Sequence, residues 1–137
     1  MIRLVLAFAL LGSPAAAQSS NAARYLAAQE VSEACDGRGG TVSDGLFERD
    51  LDGDGRDDLL IAHEGIRCAG GGFARSAYCG MQVCTVKIWL RRGDLLKLEE
   101  EFLGGGITLG PTSVPVISGY AHGGASWSMR WSGGGFR

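Results

Sequence analysis

Hydrophobic and polar positions divide this chain into an apolar opening, one helical stretch and a long series of short strand-like runs. Leu4 to Leu11 is unbroken apolar sequence, closed by Gly12, Ser13 and Pro14. Residues 21–35 repeat with a helical period: Ala23, Ala27, Val31 and Ala34 share one face, and Ser20 or Asn21 can cap. Gly37 and the Gly39-Gly40 pair end that helix. From there strand signals dominate. Thr41–Glu48 reads as a short strand, and Leu59–Ile66 has the apolar character of a buried one. Ala69–Ala77 is a glycine-rich connection. Beyond it Val83, Thr85, Lys87 and Trp89 alternate with Cys84, Val86, Ile88 and Leu90. Gly93-Asp94 turns the chain into Leu95–Leu103, so residues 83–103 predict a β-hairpin. Leu95–Leu103 is rich in helix formers, but the turn before it and Gly104-Gly105-Gly106 after it favour a strand. Ile107–Leu109, Val114–Tyr120 and Ser126–Trp131 offer two or three more strands, before Gly133-Gly134-Gly135 turns the chain toward Phe136. The pattern predicts an α+β fold: an N-terminal helix packed on an antiparallel β-sheet, in a single β-rich domain over 18–137.

The opening is a different kind of segment. Met1-Ile2-Arg3 is a short basic start, the apolar run follows, and Ala15-Ala16-Ala17 places small residues before Gln18. That three-part layout predicts a signal peptide over 1–17 with cleavage after Ala17. The run falls well short of the roughly 20 residues that a membrane-spanning helix needs. A single Arg fits the general secretory route rather than twin-arginine export. The expected destination is the periplasm or the exterior, with no membrane span in the mature chain.

Composition adds two constraints. The net charge of −2 becomes −3 once Arg3 leaves with the leader, too mild and mixed for a nucleic-acid partner. Arg91-Arg92 is the one basic doublet and reads as the solvated end of a strand. Glycine is abundant, 23 of 137 residues, and its clusters fall between apolar runs, as in turn-rich β proteins. The four cysteines, Cys35, Cys68, Cys79 and Cys84, predict two disulfides in an exported chain of this size. The favoured pairing is Cys79–Cys84 around a small loop with Cys35–Cys68 tying the N-terminal segment to the sheet; Cys68–Cys84 across a hairpin is the rival. The absence of a Cys-x-x-Cys spacing argues against zinc.

The most specific chemical signal is Asp50-Leu51-Asp52-Gly53-Asp54-Gly55-Arg56-Asp57-Asp58. Carboxylates stand at positions 1, 3, 5 and 9, with glycine at 6. Calcium takes six to eight oxygens, and alternate residues of a curling loop can aim at one centre. Asp50, Asp52, Asp54, the Arg56 backbone carbonyl and Asp58 are therefore the expected Ca²⁺ ligands, with Asp57 pointing away. So many acidic residues in so short a loop repel one another without a cation. This stretch resembles the Asp-x-Asp-x-Asp-Gly loops of EF-hand-like proteins, and with Asp-Asp-Leu-Leu-Ile-Ala-His after it, those of the FG-GAP repeats. The resemblance implies the same ligand set. It covers about fifteen residues and departs from an EF-hand at position 12, where Ile61 replaces glutamate. With no second copy, a structural staple is expected rather than a sensor. The closing Trp-Ser-Met-Arg-Trp-Ser-Gly-Gly-Gly-Phe-Arg is similar to hairpins that end many small periplasmic β domains. Together with the Cys-Gly…Cys segment it resembles a family of small exported bacterial proteins, which implies no activity.

No catalytic constellation is evident. His63 and His122 are the two histidines; His63 beside Glu64 reads as a strand-edge residue and His122 as part of a turn. Ser126 lacks the Gly-x-Ser-x-Gly elbow, and Gly70-Gly71-Gly72 lacks the Gly-Lys-Ser/Thr of a phosphate loop. Glu99-Glu100-Glu101 reads as a solvated strand. Trp127 and Trp131, four residues apart, are expected on one strand face, as core or as a contact patch. The expected function is a Ca²⁺-stabilised, non-enzymatic, monomeric domain with a structural or binding role toward an unknown protein or envelope component. The alternative is a periplasmic inhibitor of an extracytoplasmic enzyme, with the profile of the lysozyme inhibitors and Arg75 on its presenting segment. A hydrolase would need His63 or His122 joined to a carboxylate in a cleft.

Overall fold

A computed structural model describes residues 19–137; the predicted leader and its cleavage site lie outside the described residues. The chain opens with α1 (Asn21–Ala34), capped by Ser20, whose side chain accepts from the Ala23 N–H at 3.1 Å. Two short strands follow, β1 (Gly40–Val42) and β2 (Leu46–Arg49), where the pattern predicts one. The break between them has a reason. β1 pairs with β4 (Ile66–Cys68), while β2 pairs with β3 (Asp58–Ala62), so the segment changes sheets. The predicted strand 59–66 divides in the same way, because a 3₁₀ turn at His63–Gly65 redirects the chain between β3 and β4.

The expected hairpin is present as β5 (Cys84–Arg92) and β6 (Leu95–Leu109). The difference lies in Gly104-Gly105-Gly106, which does not end the strand. β6 continues through it to Leu109, with an irregularity in its pairing to the next strand between Gly105 and Thr108. Gly106 has φ +60°, a value that side chains rarely adopt, and a Cβ on Gly105 would lie 2.5 Å from the Tyr120 ring. The glycines therefore serve to bend the strand under an aromatic cover rather than to stop it. β7 (Ile117–Tyr120) and β8 (Ser126–Met129) complete a six-stranded antiparallel sheet in the order β2-β3-β5-β6-β7-β8. A last hairpin joins β9 (Trp131–Ser132) to β10 (Gly135–Phe136). This is the expected α+β domain, one helix against antiparallel sheets.

Both faces of the central strands are covered. Leu59, Ile61 and Trp89 face α1 with Ala23, Val31, Ala34 and Ile66. Leu60, Ala62, Val86, Ile88 and Leu90 face the other way, against Leu51, Ile107 and Ile117. All of β3 is consequently buried, which explains its continuous apolar sequence. Trp127 and Trp131 lie on separate strands rather than one, and each is half-buried on the second cluster. Trp127 meets Phe102 edge-on at 5.4 Å, and Trp131 meets Phe136 at 5.1 Å. They are core-attached, not a free patch.

Both disulfides follow the favoured pairing. Cys35–Cys68 joins the end of α1 to β4, and Cys79–Cys84 closes the small loop before β5. Two bridges fit a protein of an oxidising, non-cytoplasmic compartment. Among the described residues no helix is long and apolar enough to cross a membrane.

Candidate functional site

The aspartate loop connects β2 to β3, and its first and last carboxylates are held by backbone. Asp50 Oδ1 accepts from the Gly53 N–H at 2.7 Å, and its Oδ2 accepts from Gly55 at 2.8 Å. Gly55 sits at φ +84°, the sharp bend that position 6 requires. Asp58 opens β3 and is buried; its Oδ2 accepts from Leu51 N–H and its Oδ1 from Arg91 N–H, each at 2.7 Å. Oxygens of Asp50, Asp52 and Asp58 lie within 4.8 Å of one another. The loop thus converges three of the four expected carboxylates, as a small hard cation requires.

Asp54 is not part of that group. Its Oδ1 accepts from the Arg56 N–H at 2.9 Å, and its Oδ2 lies 3.1 Å from the Arg56 guanidinium. The same oxygen is 3.9 Å from Arg92. The Arg56 N–H and then its side chain hold the Asp54 carboxyl below the usual carboxylate range. Asp58 moves the other way: burial raises it against the two N–H bonds that lower it, with Asp52 and Asp54 adding repulsion. Asp57 is exposed and outside the cluster, as expected. Among the described residues the Arg56 carbonyl accepts no hydrogen bond, leaving its oxygen open to a ligand.

Sequence reasoning missed the cationic side of this site. Arg91-Arg92 is not a plain solvated strand end. Arg92 donates to Asp52 Oδ2 at 2.9 Å, and Arg91 reaches Ser20 Oγ at 2.8 Å, linking the loop's far wall to the helix cap. Arg92 already occupies part of the negative field that a metal would use.

A second polar constellation lies on the α1 side of the sheet. His63 is fully buried in the 3₁₀ turn, not at a strand edge. Its Nδ1 lies 2.8 Å from Ser76 Oγ, and its Nε2 lies 2.8 Å from Glu30 Oε2. Lys87 Nζ donates to Glu30 Oε1 at 2.9 Å, and Tyr78 N–H donates to Ser76 Oγ at 3.0 Å. The Tyr78 ring meets the imidazole edge-on at 5.2 Å. Burial alone would raise the Glu30 carboxyl; hydrogen bonds from His63 and Lys87, with their charges, outweigh it and lower it. Burial lowers Lys87, and Glu30 more than restores it, so the amine is raised. Neither Glu30 nor Ser76 stands out in the sequence, because they are separated from His63 by 33 and 13 residues.

The remaining candidates are placed simply. His122 is exposed in the turn between Ala121 and Ala125, and Glu99 and Glu101 are exposed on β6. The Glu64 carboxylate accepts the N–H groups of Gly106 and Ile107, both at 2.9 Å, which pins the bend in β6. Arg75 is exposed but turned back, donating to the Gly80 carbonyl at 3.1 Å. Its neighbours Phe73 and Met81 protrude, 89% and 100% exposed. Comparison with family models, with curated proteins and with solved structures finds no match to this chain.

Proposed function

We propose that this chain is an exported domain whose aspartate loop holds Ca²⁺ as a structural staple, and whose role in the cell envelope is to bind a protein or envelope component. The convergence of the Asp50, Asp52 and Asp58 oxygens supports the metal assignment most directly. The Arg56 carbonyl and a rotated Asp54 would complete an oxygen set of the kind calcium takes. Export rests on the leader-like opening and on the two disulfides.

Thermal unfolding of the oxidised mature domain, with Ca²⁺ and with a chelator, tests the metal. Ligand linkage gives a gain of about 2.7 kcal/mol at a hundredfold excess over the dissociation constant. The gain should be specific to Ca²⁺ over Mg²⁺, and Asp52→Ala with Asp54→Ala should erase it. A double variant that still responds as the parent does would overturn the loop assignment.

One observation favours a second reading, the inhibitor of an extracytoplasmic enzyme. The segment before β5 presents Phe73 outward ahead of the Cys79–Cys84 loop and Met81 within it, as an inhibitory loop presents its contact residues. Retention of a muramidase on the immobilised domain, lost with Phe73→Ser and Met81→Ser, is the outcome expected of an inhibitor.

A further inference from the structure

Ser76, the last member of the Glu30–His63–Ser76 line, borders a cleft, with Glu30 and His63 buried behind it. We propose that Ser76 is a nucleophile that takes up small acyl groups from apolar esters entering this cleft. The activity goes beyond the binding role, and it does not depend on the calcium loop.

The reactive tautomer is the neutral imidazole with its proton on Nε2, facing Glu30 Oε2 at 2.8 Å. Nδ1 then accepts from the Ser76 hydroxyl at 2.8 Å, while Ser76 Oγ accepts the Tyr78 N–H. Nucleophile, base and orienting carboxylate follow in one line, the arrangement that activates a serine irrespective of fold or chain order. The ring is used in the opposite sense to the familiar triads, with Nδ1 rather than Nε2 toward the hydroxyl. Lys87 on the second Glu30 oxygen fixes the carboxylate's orientation, making Glu30 and Lys87 positioning residues.

The cleft measures about 470 Å³ and is bordered by Ala34, Arg38, Phe73, Arg75, Ser76 and Met81. Its apolar margins, Phe73 and Met81, suit an acyl chain. Ser76 is 3% exposed, which restricts the site to slender acyl groups. In the reaction Ser76 Oγ bonds to the ester carbonyl carbon and its proton passes to His63 Nδ1. The alcohol leaves with that proton, and water then releases the acid and restores the hydroxyl.

The test is acetylation of the folded, oxidised protein by p-nitrophenyl acetate, read by intact mass after acid quenching. Ser76 Oγ displaces p-nitrophenolate from the acetyl carbon, and the hydroxyl proton leaves through His63. One adduct located on Ser76 is expected, absent from Ser76→Ala. Glu30→Gln should slow labelling by about 100-fold, within the range for a lost acid–base contribution, with partial recovery in Glu30→Asp. Ser76→Ala removes one oxygen and is expected to fold; near-ultraviolet circular dichroism verifies this before labelling. A folded parent that takes no label, or a Ser76→Ala variant labelled as fast as the parent, overturns the proposal. Because the calcium assignment is read by melting temperature, either conclusion can fail without the other.

Discussion

The two polar constructions of this domain are built on opposite plans. In the aspartate loop most bonds are local: Asp50, Asp52 and Asp54 accept from N–H groups two to five residues away. Around His63 the partners come from α1, from the loop before β5 and from β5 itself, up to 57 residues apart. The loop is exposed and carries excess negative charge, whereas the His63 cluster is buried and balances Glu30 against Lys87. Among the described residues the local construction takes its distant polar contacts only from Arg91 and Arg92 of β5, whereas the buried one exists only when the whole domain has folded. Damage to the first should therefore be mild and metal-dependent, and damage to the second global.

The sharpest way to break that contrast is His63→Ala. It opens a cavity against Tyr78 and leaves the Ser76 hydroxyl and one Glu30 oxygen without their partner. A loss of about 3–4 kcal/mol is expected by denaturant unfolding, while any Ca²⁺-dependent gain persists. Asp54→Ala should cost under about 1 kcal/mol without metal, since its ion pair with Arg56 is solvent-exposed. Comparable losses from the two changes would erase the distinction between the regions.

Removing the disulfides separates the same regions by loop length. Cys35–Cys68 spans 33 positions and ties α1 to β4; Cys79–Cys84 spans five. On the chain-entropy model the longer closure is worth about 3.8 kcal/mol and the shorter about 2.2 kcal/mol. Paired Cys→Ser variants measured by urea unfolding should keep that order. If the short bridge proves the costlier, the loop before β5 depends on it through native contacts rather than chain entropy.

These contrasts also explain what the sequence made legible. The helix, the hairpin, the loop and both disulfides are local or follow from period and count. Asp50, Asp52 and Asp58 were visible because position 1, 3 and 9 spacing is itself the geometry. Asp54 fits the same spacing but faces Arg56 and Arg92 rather than the converged group, and no spacing rule contains the contact with Arg92, which arrives from β5. The glycines at 104–106 misled for a related reason. As turn formers they end strands, and only Tyr120 packed over them with Glu64 beneath their N–H groups makes them a bend. Ser76 and Glu30 had no local signal at all.

Acid should probe the buried construction selectively. The Glu30 carboxyl is lowered in the fold from its ordinary 4.5, so the unfolded chain takes up its proton first. Its contribution is complete above the ordinary value and is lost as pH falls through it toward the folded one. Lys87 works at the other end: raised from 10.5, it contributes fully below that value and loses its contribution as pH climbs past it. Glu30→Gln should flatten the acid limb of the stability profile relative to the parent. An unchanged acid limb would mean that other carboxylates carry it.

The smallest effect is the one that bears most on the metal. Arg92 stands on Asp52 at 2.9 Å and near Asp54 at 3.9 Å, a partly exposed guanidinium where a divalent ion would draw on the same charge. Arg92→Gln removes an exposed pair and should cost under about 1 kcal/mol in chelator. With Ca²⁺ the sign reverses, because the carboxylates no longer have to be taken from a competing cation. Titration calorimetry should show tighter Ca²⁺ binding by Arg92→Gln than by the parent, most clearly at low salt, where exposed charges are least screened. Weaker binding in the variant would instead make Arg92 a support that holds Asp52 in place for the ion. In that case the loop is preorganised by its arginine, and its local plan depends on β5 as much as the buried one does.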